Sequence, residues 1–158
     1  MNTETEVIKV RDSLKSLAEG VLHVKVFNRE GALIEDWSSK NLVVSQARNI
    51  MRSLLATGID PITKLGVGTG TVAPTVGDTS LTNMEFVLIT EIDVTVDYEV
   101  TFGCAIDYTE LNGMAMTEFG LLTLSDLLFS RKTRSPIYKD TSIRLEILWT
   151  IKFLCDDV

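Results

Sequence analysis

At 158 residues the chain is long enough to bury one core without staples, and it fits a single domain. A net charge of −7 argues against a general nucleic-acid surface. No apolar run approaches the roughly eighteen residues of a membrane span, and the acidic start, Met1 to Glu6, lacks the positive region of a secretory signal.

The first predicted element is an amphipathic helix over 3–19, with Val7, Val10, Leu14 and Leu17 near a helical period. Thr3 and Glu6 match a capping box, and Gly20 is its expected stop. Its apolar stripe is narrow. Residues 1–20 are therefore set apart as an arm, helical or extended, that packs on the domain edge or reaches a neighbouring subunit. Residues 21–158 form a single β-sandwich domain.

From Val21 the pattern turns to strands. Val21–Phe27 and Ala32–Trp37 flank the turn Asn28-Arg29-Glu30-Gly31, and Lys40–Val44 reads as a further short strand. Ser45 to Thr57 is the clearest helix: Ser45 can cap it, Ile50, Met51, Leu54 and Leu55 form its apolar face, and Gly58 ends it. Ile62–Val67 then leads into a glycine-rich stretch. Ile92 to Phe102 alternates apolar and polar residues, as a strand with one wet and one dry face does. Asn112-Gly113 marks a turn, Met114–Leu122 and Leu127–Lys132 form a hairpin, and Ser142–Leu154 alternates again. The expected fold is mainly β: an antiparallel sandwich or open barrel with one packed helix at about 45–57.

The stretch 65–83 holds Gly66, Gly68 and Gly70 in alternation, followed by Pro74, Gly77 and Asp78. A phosphate loop would need Gly-Lys-Ser/Thr with a helix behind it, and a dinucleotide fingerprint a differently spaced third glycine. Neither is present, and Pro74 removes an amide and favours extended backbone at Ala73. The alternation reads as a strand fraying into a connection, with glycines where backbones crowd.

Other constellations are sparse. The two cysteines, Cys104 and Cys155, are far apart and are read as free thiols, and His23 is the only histidine. A zinc site and a Ser-His-Asp triad are therefore both disfavoured. If the hairpin turns about Ser125, Glu118 falls opposite Arg131 and Leu121 opposite Leu128, which makes Glu118–Arg131 a structural ion pair. A catalytic Glu118 would need a second acid or base, and none is supplied. Arg131, Lys132, Arg134 and Lys139 form a basic cluster in a loop around Pro136, read as solvated or as a dock for an acidic neighbour.

The order of these motifs is familiar. Asn41-Leu42-Val43-Val44, a short helix and Leu65-Gly-Val-Gly-Thr-Gly-Thr come first, then Ala73-Pro74 and Gly77-Asp78-Thr79-Ser80-Leu81-Thr82-Asn83. Thr117-Glu118-Phe119-Gly120-Leu121, Leu128-Phe129-Ser130-Arg131 and Leu148-Trp149-Thr150-Ile151 complete it. Over roughly 40–154 the chain resembles small structural proteins of tailed bacteriophages, including tail-collar and tail-fibre N-terminal modules.

The resemblance implies a non-enzymatic virion subunit, assembled in the host bacterial cytoplasm and acting in the tail, baseplate or fibre-attachment region. Its expected partners are further copies of itself, as a trimer or ring, and other virion proteins. No nucleic acid, membrane, small-molecule substrate, metal or cofactor is expected. Residues 1–39 are an extension beyond the resemblance, and with no long fibre following Val158 the chain is expected to be a free-standing piece. Two alternatives stand beside this reading: a capsid decoration (cement) protein, and a receptor- or glycan-binding module using Trp37, Tyr108 or Tyr138. The expected assembly contacts are the arm, Gly66, Gly68, Gly70 and Pro74 in the 66–78 connection, and the 131–139 segment.

Overall fold

The computed structural model describes residues 18–154. Nine antiparallel strands form one sheet, with β1 Ala18–Asn28, β2 Leu33–Val43, β3 Ile62–Gly68, β4 Glu85–Leu88 and β5 Glu91–Asp93. The rest are β6 Glu99–Ile106, β7 Ala115–Thr123, β8 Leu128–Tyr138 and β9 Ile143–Phe153. The strand order is β4-β3-β7-β8-β2-β1-β9-β6-β5, and the sheet curls into a half-barrel. Its two edge strands, β4 and β5, are consecutive in the chain. Only Ile89 and Thr90 separate them, with Ile89 N–H donating to Thr63 on β3 and Thr90 N–H to Gly103 on β6. One bent segment therefore pairs with opposite ends of the curled sheet.

The expected mainly β class with one packed helix is the observed one. The core lies on the concave face, where period-2 alternation puts Leu22, Val24 and Val26 of β1 beside Leu145, Ile147, Trp149 and Ile151 of β9. Phe119, Leu65 and Val67 continue it across β7 and β3.

Several local expectations change. The 3–19 helix with Val7, Val10, Leu14 and Leu17 lies outside the described residues except at its end, where Ala18, Glu19 and Gly20 belong to β1. Gly20 is no helix stop: it sits opposite Asn41, whose side chain occupies the space a Cβ would need. Lys40–Val43 is not a separate strand but the end of β2, because the Asn28 side chain accepts the N–H groups of Glu30 and Ala32 and closes a hairpin with long arms.

The helix, α1, spans Gln46–Thr57, and Ser45 makes no side-chain cap. Its N–H donates instead to Val76 O at 2.7 Å, which ties the helix start to the glycine-rich connection. Gly58 ends the helix in the left-handed region as expected. The buried face is Ala47 and Ile50, supported by Met51 and Leu54, whereas Leu55 is 91% exposed. At about 3.6 residues per turn, Leu55 lies roughly 140° round from Ile50.

The predicted strand 92–102 is two strands. Asp93 Oδ1 accepts Thr95 N–H at 2.8 Å and Tyr98 takes φ 65°, so the chain reverses over 94–98 and Asp93 pairs with Thr101. Only Val100 and Phe102 reach the core; Ile92, Val94, Val96 and Tyr98 are exposed. Alternation alone does not reveal a turn whose residues keep the period.

Candidate functional site

Of the stretch 131–139, expected as a loop, residues 131–138 are most of β8 and Lys139 follows it, and Pro136 sits where the β7–β8 register shifts. The register also differs from expectation: Glu118 faces Thr133, Arg131 faces Gly120 and Leu121 faces Ser130, because a bulge precedes the turn. The ion pair forms nonetheless. Arg131 reaches diagonally across the ladder, a distance within range of a long side chain.

Around this pair a buried polar node is assembled. Glu118 is fully buried, and its Oε2 accepts Arg131 Nε at 2.8 Å and Nη2 at 2.7 Å. Its Oε1 accepts the backbone N–H groups of Gly70, at 3.0 Å, and Thr82, at 2.5 Å. Two further guanidinium hydrogens go to Asp78 Oδ2 at 2.8 Å and Val72 O at 2.9 Å. Asp78 in turn accepts both the N–H and the hydroxyl of Thr75 at 2.8 Å. Thr117 Oγ1 donates to Gly70 O at 2.7 Å. The connection 69–84 is thereby laced over β7 and β8 through its own backbone.

The alternating glycines are explained by this node. A Cβ on Gly68 would stand 2.4 Å from Glu118 Oε1 and 2.7 Å from Thr82 O, and one on Gly70 2.7–2.8 Å from the same carboxylate. Beneath the node, Leu81, Val44, Leu122 and Leu128 form a small apolar cluster, and a Cβ on Gly66 would press into Leu122 and Leu81. Gly66 and Gly68 are buried strand residues, so neither presents the assembly surface expected of them. Gly70 and Pro74 are half-buried, and the connection instead exposes Val72 and Val76.

The basic cluster is likewise corrected. Arg131 is spent in the node. Arg134 pairs with Glu35 at 2.5 Å and stacks on Trp37 at 4.8 Å, on the concave side where the β2–β8 ladder has ended after Leu42 and Val43. Lys139 is 2% exposed, and its Nζ donates to Asn112 Oδ1 at 2.7 Å and Asp140 O at 2.9 Å, latching the β6–β7 connection. Burial pushes its pKa down, against the raising pull of Asp140, Glu110 and Asp107. Lys132 alone of the four has no such partner among the described contacts, and it is half-buried.

No protein-family model, curated protein or solved structure matches this chain.

The chemistry of the node must therefore be read from its geometry. Each carboxylate oxygen of Glu118 is held by two donors, and the donors of Arg131 are directed at Glu118, Asp78 and Val72. That arrangement suits fixing a loop to a sheet. Among the described residues no group of three or more His, Cys, Asp or Glu is placed to hold a metal. An open depression of about 380 Å³ lies elsewhere, on the outer face of β1, β9 and β6, over a floor of Gly103 and Ala105 with His23, Lys25, Arg144 and Glu146 around it. There His23 Nε2 is 2.5 Å from Asp36 Oδ1. The thiol of Cys104 faces the core rather than this depression, and burial, followed by the nearby Glu110, pushes its pKa up to about 12. Cys155 lies outside the described residues.

The aromatics named for a glycan site are largely occupied. Trp37 packs on the core beneath Arg134, and Tyr108 donates its hydroxyl to Asn28 O at 2.6 Å; Tyr138 is exposed.

Sequence reasoning missed Asp78 as the third member of the node, although Thr75-x-x-Asp78 carries the signal of a side chain closing its own turn. It also missed Asp60, at φ 64°, which accepts Ser125 N–H at 2.8 Å and Thr123 Oγ1 at 3.0 Å and so anchors the β7–β8 turn to the α1–β3 connection. In both carboxylates burial raises the pKa, but hydrogen bonds outweigh it: from Thr75 and Arg131 for Asp78, and from Ser125 and Thr123 for Asp60. Both are held below the usual value of about 3.9. A depressed carboxylate stabilises the fold above its unfolded pKa, and that contribution disappears as pH falls through the folded value. Urea midpoints are accordingly expected to be flat from neutral pH to about 5 and to drop below about pH 4. The Asp60→Asn/Asp78→Asn variant starts lower at neutral pH and drops less steeply. An equally steep drop in that variant would remove these two carboxylates as the cause.

Proposed function

We propose that this chain is a non-enzymatic structural subunit of a tailed bacteriophage virion, working in the tail, baseplate or fibre-attachment region by symmetric self-association and by attachment to other virion proteins. One observation carries the reading. Residues from the motifs between Val44 and Arg131 converge on one place, joined there by Leu122 from outside the motifs, whereas Leu148–Ile151 lie apart on β9. Gly68, Gly70, Asp78, Thr82, Glu118 and Arg131 build the buried node, and Val44, Leu81, Leu122 and Leu128 the apolar cluster under it. A motif set consumed in bracing a sheet and its longest connection fits a module whose product is rigidity. Stiff sheets presenting surface side chains, such as Val72 and Val76 above the node, suit assembly, which needs geometry held constant from copy to copy.

The test is imaging and mass spectrometry of purified particles of the phage that encodes the chain, with an antibody raised against it. Label at the tail, baseplate or fibre junction is the expected result. Label spread over the head would instead assign a capsid-decoration role, and particles free of the chain would end the virion reading.

A further inference from the structure

The reversal between β5 and β6 leaves an unusual surface. Val94 is 70% exposed, Val96 57% and Tyr98 81%, in a run that alternates apolar residues with Asp93, Asp97 and Glu99. Residues 91–99 contain no basic side chain; Glu99 borrows one from Lys152 at 3.1 Å, and Asp93 and Asp97 have no cation among the described residues. A β-branched run this apolar and this exposed is what an unsatisfied contact surface looks like. As an edge hairpin it is also an aggregation hazard if left bare.

Three facts identify what covers it. First, position: β1 begins at Ala18, which pairs with Phe153, and Phe153 N–H donates to Tyr98 O at 2.8 Å. The chain preceding Ala18 therefore enters the fold about two strand spacings, roughly 10 Å, from the tip. Phe153 and Leu154, also exposed, extend the apolar patch toward that point. Second, pattern: residues 7–17 repeat Val7, Val10, Leu14 and Leu17 at helical spacing, and 17 residues span about 25 Å even when fully helical, which is ample reach. Third, charge: in an acidic protein, residues 7–17 carry Lys9, Arg11 and Lys15 against Asp12 alone, facing a tip whose free charges are carboxylates.

We infer that residues 7–17 dock onto the β5–β6 hairpin tip of their own domain, with the apolar stripe on Val94, Val96, Tyr98 and Phe153 and the basic residues beside Asp93 and Asp97. A tether this short gives an effective concentration on the order of millimolar, so in dilute solution the chain's own arm outcompetes that of another copy. The contact belongs to the isolated chain and stands or falls independently of any role in a virion.

Hydrogen–deuterium exchange on the full chain at low micromolar concentration tests it. Amides 94–98 are expected to exchange about tenfold more slowly in the wild type than in Leu14→Asp/Leu17→Asp, with β7 and β8 unchanged, since local protection follows the free energy of local opening. The reciprocal variant Val94→Asp/Val96→Asp releases residues 7–17. Lys15→Glu weakens protection of the tip, and adding Asp97→Lys restores it in part. Identical exchange at 94–98 in the wild type and the arm variant would overturn the inference. Protection that falls on tenfold dilution would overturn it too, by assigning the contact to a second copy.

Discussion

Replacing Glu118 by Gln is expected to lower the free energy of unfolding by about 3–5 kcal/mol, the range for breaking a buried ion pair from one side. The isosteric amide keeps the volume, so packing is not the issue. Oε1 faces two backbone N–H groups and Oε2 faces two guanidinium N–H groups, all of them donors. An amide offers one acceptor and one donor, so whichever way it turns, a donor points at donors. The Arg131 charge then remains buried with only the half-buried Asp78 to balance it. Unfolding in urea checks the size. Arg131→Met, with the same measurement on the double variant, checks the mechanism, because residues in one network are not additive. A loss under about 1 kcal/mol for Glu118→Gln would place the pair with ordinary surface salt bridges.

How far this node was legible in the sequence depends on which of its physical causes act locally. Alternation along β9 needs only the side-chain period of a strand, so its buried face could be read residue by residue. The Glu118–Arg131 pair could be read because two neighbouring strands bring residues of opposite charge within reach even when the register is wrong by two. The bulge between Leu121 and Leu122 was not legible, and it shifted the pairs on the side of it away from the turn, with a second shift between Met116 and Glu118. Lys139 and Arg134 looked like surface charge because solvation is the usual fate of a basic residue near a proline. Their burial depends on carbonyls and a carboxylate delivered from residues 35, 108, 112 and 140. The reversal at 94–98 was hidden for a different reason: valine and tyrosine keep their β-pattern through a turn that Asp93 closes.

The glycine-rich stretch offers the second large effect, and it separates glycines by cause. Gly68→Ala is expected to cost about 3 kcal/mol, combining overpacking with loosened hydrogen bonds at the node. The added methyl would meet Glu118 Oε1 at 2.4 Å and the Thr82 carbonyl at 2.7 Å, and neither has freedom to retreat. The carboxylate is fixed by four donors, and Thr82 O accepts Thr69 N–H at 3.0 Å. Gly77, in the same connection, has nothing within 4 Å of the point where a methyl would stand and no left-handed φ. Gly77→Ala is therefore expected to be neutral or to stabilise by up to about 1 kcal/mol through the unfolded chain. The sharper check is a cycle with Glu118→Ala, which removes the obstructing carboxylate and leaves the Thr82 carbonyl in place: Gly68→Ala then costs less than its wild-type penalty, the remainder coming from Thr82. Equal penalties in the two backgrounds would mean that the glycine answers to something other than Glu118, and that the connection is not held over the sheet by that side chain.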